Sequence, residues 1–169
     1  MLKRSLLTAG ASSILVLLLF LGYSIVEKLA VKKMVAIKIQ TLPTARLFTL
    51  DSITFQFPLH SSIVLIHFNT SCEHCQYELR EIKKNISSFA KGQVILMSSE
   101  NISDIRMASE EHGLAGLPNI HFTKINADDV FGTFGSVSIP HIFIYGKDRK
   151  LIKEFKGETK VEAILQQLQ

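Results

Sequence analysis

Phe68-Asn69-Thr70-Ser71-Cys72-Glu73-His74-Cys75-Gln76-Tyr77-Glu78-Leu79 holds the only two cysteines of a 169-residue chain, three positions apart. Before it stands the apolar run Ile63-Val64-Leu65-Ile66, which reads as a strand. After it Leu79, Ile82, Ile86 and Phe89 recur at helical spacing. The order is therefore strand, short loop, helix, with a Cys-x-x-Cys at the helix start. Residues i and i+3 are neighbours on a helix, so these two sulfurs can close as a disulfide or open as a dithiol.

The unpaired backbone N–H groups of a helix start carry partial positive charge and favour a thiolate at Cys72, the expected attacking sulfur. Cys75, one turn in, is expected to be the more buried resolving thiol. His74, if protonated, adds positive charge beside Cys72 and makes the disulfide more oxidising, while Glu73 opposes it. These two are the candidate tuning residues. Zinc sites share the Cys-x-x-Cys spacing, but structural zinc normally takes four ligands. His60, His67, His74, His112, His121 and His141 supply no second pair at matching spacing, so no metal site is expected. A purely structural bridge closing so short a loop would constrain the unfolded chain little.

The formal net charge is +4, without a basic-aromatic stripe or a low-complexity block, and nothing points to nucleic acid. Lys3 and Arg4 precede an uncharged, largely apolar run from Leu6 to Val26. At ~1.5 Å per residue such a run can cross a ~30 Å hydrocarbon core as a helix. A cleaved signal peptide is the competing reading, but Ser24-Ile25-Val26 makes a poor cleavage site and no nearby cysteine could take a lipid. Lys28, Lys32, Lys33 and Lys38 balance the amino-terminal charges, so positive residues alone do not orient the segment. Amino-terminal signal-anchors of this form commonly export the domain on their carboxyl side. The expectation is a single-pass protein of the cytoplasmic membrane with an extracytoplasmic (periplasmic) domain: residues 1–26 an anchor, 27–41 a tether, 42–169 the domain.

Within that domain, residues 47–50 and 53–57 read as short strands around a turn at Asp51-Ser52. Lys91-Gly92 stops the first helix, and Gln93–Met97 is a buried strand. A helix capped by Asn101 or Ser103 covers Ile105 and Met107 and ends at Gly113. Next come a strand near 119–124 and a short helix over 128–134. Residues 138–145 and 150–155 form a hairpin, Gly157 breaks it, and Val161, Ile164, Leu165 and Leu168 give a last amphipathic helix. Alternating strands and helices closed by a hairpin and helix make an α/β fold with a mixed sheet.

Three separated features resemble the thioredoxin-fold superfamily: the strand–Cys72-Glu73-His74-Cys75–helix unit, Ile139-Pro140 opening a hairpin where thioredoxins carry a cis-proline, and the closing strand, Gly157 and helix. Residues 75 and 140 are 65 positions apart, leaving room for an extra strand and helix between the cysteine helix and the proline. That insertion, and the anchor, are similar to the membrane-anchored thioredoxin-like redoxins (TlpA/ResA-type, AhpC/TSA-related). The resemblance covers residues 43–169 and implies thiol–disulfide exchange with protein substrates, without a dissociable cofactor. A membrane redox partner would reset the pair. It makes Cys72 the nucleophile, Cys75 the resolving cysteine and Pro140 a neighbour of the disulfide, with the Ile139 backbone free to pair with an extended substrate. Direction is open, reductant slightly favoured over oxidant. Ser71 stands where these families carry tryptophan. In the preceding strand, where they often place an acid, Ile66 and His67 stand. Glu78 reads as a solvated helix residue with a second reading as a proton carrier.

Two rival readings remain. A thiol peroxidase would need Pro-x-x-x-Thr/Ser-x-x-Cys, but Leu65 and Asn69 occupy the two key places. A copper-binding assembly factor would use Cys72, Cys75 and a histidine, with His141 the nearest candidate beside Pro140, since soft thiolates suit Cu(I).

Overall fold

The computed structural model describes the backbone of residues 2–135 and 138–168, and within them the side chains from residue 17 onward. Two compact units form, Met1–Ile37 and Lys38–Gln169. The first is helical. Helix α1 runs Leu2–Lys38, a stretch without proline and rich in Leu, Ala and Lys. The expected anchor, Leu6–Val26, lies partly outside the described side chains; among the described residues no helix is long and apolar enough to cross a membrane. Leu17 to Leu21, Tyr23, Ile25 and Val26 are all exposed.

In the second unit the strands are β1 (Phe48–Thr49), β2 (Ser62–His67), β3 (Gly92–Ser98), β4 (Ile120–Lys124), β5 (His141–Tyr145) and β6 (Leu151–Lys156). They form one sheet in the order β1-β4-β3-β2-β5-β6. Strands β2, β3 and β4 are mutually parallel, while β1, β5 and β6 run antiparallel to their neighbours. The continuous apolar runs of β2 and β3 are explained by this: central parallel strands are covered on both faces, and Ile63 to Ile66 and Val94 to Met97 are buried throughout. The edge strand β6 instead exposes Lys153 and Lys156, charges that discourage further strand pairing.

The helices are α2 (Glu73–Lys84), α3 (Ile102–Glu111), α4 (Ala127–Asp129, continuing as a π turn over Val130–Phe134) and α5 (Val161–Leu165). Strand β3, α3, β4 and α4 thus fill the interval between α2 and Pro140. Val64, Ile66 and Phe68 of the β2 face pack with Cys75, Leu79 and Ile82 of α2, Ile105 of α3, and Val161 and Ile164 of α5. Strand alternation sends Ile63, Leu65 and His67 to the other face, with Phe143 and Tyr145. There the Phe134 and Phe143 rings lie 5.3 Å apart.

Three elements differ from expectation. Residues 53–57 contribute only a single bridge, Phe48–Thr54, rather than a strand. Strand β1 is just two residues long and offers no ladder to extend. Phe55 packs instead on Phe57 and on the His121 ring, at 5.8 and 5.3 Å. The helix that carries the cysteines, α2, ends at Lys84, where the Asn85 side-chain amide also donates to the Glu81 carbonyl. Asparagine readily leaves a helix this way. A 3-10 segment, Ile86–Lys91, then carries Phe89 to its buried position. Finally, β5 begins at His141, and Ser138 to Pro140 form a bend ahead of it.

At the domain start, Ile39 is buried and Thr41 bridges to Lys150. The Leu151 N–H donates to the Gln40 carbonyl, and the Leu42 N–H to that of Arg149.

Candidate active site

Strand β2 delivers the chain to a loop, residues 69–72, at the carboxyl ends of the parallel strands, where open α/β sheets place ligands. The loop is braced. Asn69 Oδ1 accepts from the Ser71 N–H and Oγ–H at 2.9 and 2.6 Å. Glu100, just past the end of β3, accepts from the Thr70 N–H at 2.7 Å and from the Thr70 hydroxyl at 2.9 Å. The Gln76 amide donates to the Thr70 carbonyl from the helix side.

Cys72 is the N-cap of α2, in extended conformation, and its carbonyl accepts the Gln76 N–H. It is half-buried and Cys75 is buried; both are free thiols. Burial pushes the Cys75 thiol up to about 12, opposed by a hydrogen bond from the Asn69 backbone. A hydrogen bond with the Cys72 side chain and the nearby Glu78 charge push the same way as burial. These influences favour the thiol form of Cys75, while Cys72 is the more accessible of the two sulfurs.

Glu78 lies one turn beyond Cys75 and is 1% exposed, not solvated as its type suggested. Its Oε1 accepts the Thr159 N–H at 2.6 Å, while Oε2 is buried without a partner among the described residues. Burial raises its carboxyl to about 7, helped by the Glu158 and Glu81 charges and opposed by the Thr159 N–H. A carboxyl that ionises near neutrality beside a buried thiol can take up its proton. A signal for this was present. Cys75, Glu78, Leu79 and Ile82 stand at i, i+3, i+4 and i+7, the spacing of one buried stripe.

The bond between Ile139 and Pro140 is cis. The pairing of His67 with His141 sets Pro140 beside Phe68, at the strand end that leads into the cysteine loop. Pro140 is buried, and half-buried Ile139 and Cys72 pack against the same core. Glu73 is exposed. His74 also faces outward, and its Nδ1 meets Glu158 Oε2 at 2.7 Å. The segment 157–159 thus touches three parts of the site: Glu158 meets His74, Thr159 meets Glu78, and the Gly157 N–H donates to the Pro140 carbonyl at 2.8 Å. Gly157 makes this turn at φ +86°, a conformation that side chains disfavour. Glu100, Glu158 and Thr159 were not anticipated, because each reaches the site from a distant part of the chain.

His67 and His141 do not join the cysteines. Both lie on the opposite sheet face, where His141 Nε2 meets Glu154 Oε1 at 2.8 Å and stacks on Phe143. Burial, with His141 opposite, lowers His67 to about 4. Among the described residues no cluster of three or more His, Cys, Asp or Glu side chains is close enough to hold a metal.

No family model matches the sequence, and no curated protein is significantly similar to it. Solved structures do match. A peroxiredoxin-like protein from Aquifex aeolicus superposes with a TM-score of 0.63 at 12% identity, over 76% of this chain and 84% of that one. A secreted Mycobacterium tuberculosis disulfide oxidoreductase, homologous to E. coli DsbE, gives 0.58 at 16%, over 78% and 96%. The exposed lipoprotein thioredoxin of Streptococcus pneumoniae gives 0.56 at 20%, over 72% and 95%. The chain has a thioredoxin fold. Helix α2 carries the two cysteines, and the bend at Pro140 leads into the closing β5–β6 hairpin.

Proposed function

We propose that this protein is a membrane-anchored thiol–disulfide oxidoreductase acting outside the cytoplasm on protein thiols and disulfides. The observation that carries the reading is the placement of Cys72 at the open start of α2, with buried Cys75 and ionisable Glu78 on successive turns beneath it. In the reducing direction a Cys72 thiolate attacks a substrate disulfide, forming a mixed disulfide and expelling one substrate thiolate. Cys75 passes its proton to the Glu78 carboxylate and attacks the Cys72 sulfur, expelling the second substrate thiolate and closing the Cys72–Cys75 disulfide. Two electrons leave the dithiol, and no dissociable cofactor takes part. Pro140 flanks the pair, and the Ile139 backbone is available to an extended substrate segment.

Glu73 and His74 tune the charge around Cys72. The Glu158 carboxylate beside His74 brings negative charge to this side of the site, which favours reduction over oxidation. The exposed apolar side chains between Leu17 and Val26 support the anchor, and the secreted and lipoprotein likenesses support an extracytoplasmic domain. A membrane redox partner then resets the pair.

The test is to equilibrate the protein with glutathione or dithiothreitol buffers and trap its thiols. A two-electron transition below about −220 mV is expected of a thioredoxin-like reductant, whereas one near about −120 mV would mark an oxidant. Absence of any reversible two-thiol couple would sink the oxidoreductase reading.

A further inference from the structure

An open groove of about 470 Å³ runs along α2 beside the carboxyl end of α3, lined by Gln76, Arg80, Lys83, Lys84, Glu111 and His112. It begins at the reactive loop, because Gln76 hydrogen-bonds both the Cys72 and the Thr70 carbonyls. Cys72, Gln76, Arg80 and Lys84 stand at four-residue intervals, a stripe of neighbours that winds slowly around the helix and reaches roughly 18 Å from the nucleophile. Three cations face one carboxylate across the groove. Lys83 is committed to the Gly113 carbonyl, tying α2 to the end of α3, and Lys84 pairs with Glu81. Exposed Arg80 has no hydrogen-bond or ion-pair partner among the described residues, and it lines the groove beside His112.

We infer that this groove is the docking surface for an acidic segment of the protein whose disulfide Cys72 attacks. The inference rests on the oxidoreductase reading and names its substrate class. Arg80 lies about 12 Å along the helix from Cys72, and an extended chain advances about 3.3 Å per residue. Carboxylates about three to six residues from the reacting cysteine therefore fall over Arg80 and Lys84. A shallow, solvated groove suffices for this. Opposite charge speeds encounter, and the mixed disulfide then makes every further contact intramolecular.

Single-turnover oxidation of the reduced full-length protein, held in a non-ionic detergent, tests it. The probes are peptides carrying one cysteine as a mixed disulfide with mercaptoethanol. One has glutamates three to six residues from the cysteine, a second has glutamines there, and a third has the glutamates moved to ten residues or more. The first should react roughly tenfold faster than the other two at low salt, with the advantage gone at high salt. In the doubly reversed variant Arg80→Glu/Lys84→Glu, shown folded by its circular dichroism and melting, the ratio should fall to one or below. Equal rates for the three peptides, or an advantage that survives charge reversal, would overturn the groove. An advantage independent of glutamate position would assign it to net charge alone and overturn the groove too. Reduction of 2-hydroxyethyl disulfide by the wild-type protein separates the two levels. If it proceeds while the acidic preference is missing, only the groove is wrong. If it fails, the oxidoreductase reading falls and the groove with it.

Discussion

A carboxyl group almost wholly withdrawn from water, with one oxygen on the Thr159 N–H and the other unpartnered among the described residues, ionises at a cost in folding free energy. The folded Glu78 group titrates near 7, above the usual carboxyl value. Its protonated form is thus favoured by folding, a contribution present below the unfolded value and lost as pH rises through about 7. Glu78→Gln is expected to stabilise the protein at pH 8 by on the order of 2 kcal/mol, read from denaturant midpoints. The same substitution should slow resolution of a Cys72 mixed disulfide about tenfold or more and abolish its rise with pH around neutrality. His67 has the opposite sign. Its folded value is about 4, so the unfolded chain binds the proton more tightly, and stability is full above about 6.5 and falls as pH drops toward 4. His67→Phe, similar in shape at this half-buried position, should flatten that acid-side loss in melts between pH 7 and 4.5. Of these residues, the cysteines were legible as a pair at a helix start from their spacing, and the cis bond at Pro140 was expected from the resemblance alone. Glu78 was legible only in part: its place in the buried stripe was a signal, but a glutamate on a helix is usually solvated, and its partner Thr159 arrives from far along the chain.

Elements show where local pattern is enough. The β2–loop–α2 unit could be read directly: a two-sided apolar strand, an N-cap and a periodic stripe all agree. Residues 53–57 alternate like a strand but have no ladder beside them beyond two residues of β1. Pairing is a property of the partner, not of the segment. The 157–159 turn was visible as a glycine break, yet nothing local revealed that it grips His74, Glu78 and Pro140 together. Gly157→Ala meets no atom within 4 Å, so its cost is backbone conformation alone. About 1 kcal/mol of destabilisation is expected, measurable by chemical unfolding. If the turn loosens, the Thr159 bond to Glu78 weakens and the pH midpoint of mixed-disulfide resolution should move upward. Ile82→Ala, in the α2 stripe, should cost about 2–5 kcal/mol without moving that midpoint.

For the whole molecule, the mixed sheet closed by a hairpin was legible in the alternation of strands and helices, whereas the neighbour order β1-β4-β3-β2-β5-β6 was not. The start of the domain was harder to see. Residues 27–41 read as a tether because they mix charged and apolar groups without a core partner, yet Ile39 is buried and the backbone of residues 40–42 pairs with that of residues 149–151. A chain beginning at residue 38 should therefore unfold like the complete domain. One beginning at residue 43 should be less stable by on the order of 2 kcal/mol, the worth of one buried isoleucine, as shown by urea midpoints.

The Thr159 amide has a consequence for observation. The chain has no tryptophan, so the fluorescence change that often accompanies dithiol chemistry is not at hand. A proton shared with a carboxylate at 2.6 Å resonates according to that carboxylate's charge, and Glu78 sits one helical turn from Cys75. In a nitrogen–proton correlation spectrum, the cross-peak of Thr159 should shift as Glu78 titrates. Its midpoint should differ between the dithiol and the disulfide. A single backbone resonance, remote in sequence from both cysteines, would then serve as the molecule's own gauge of its redox state.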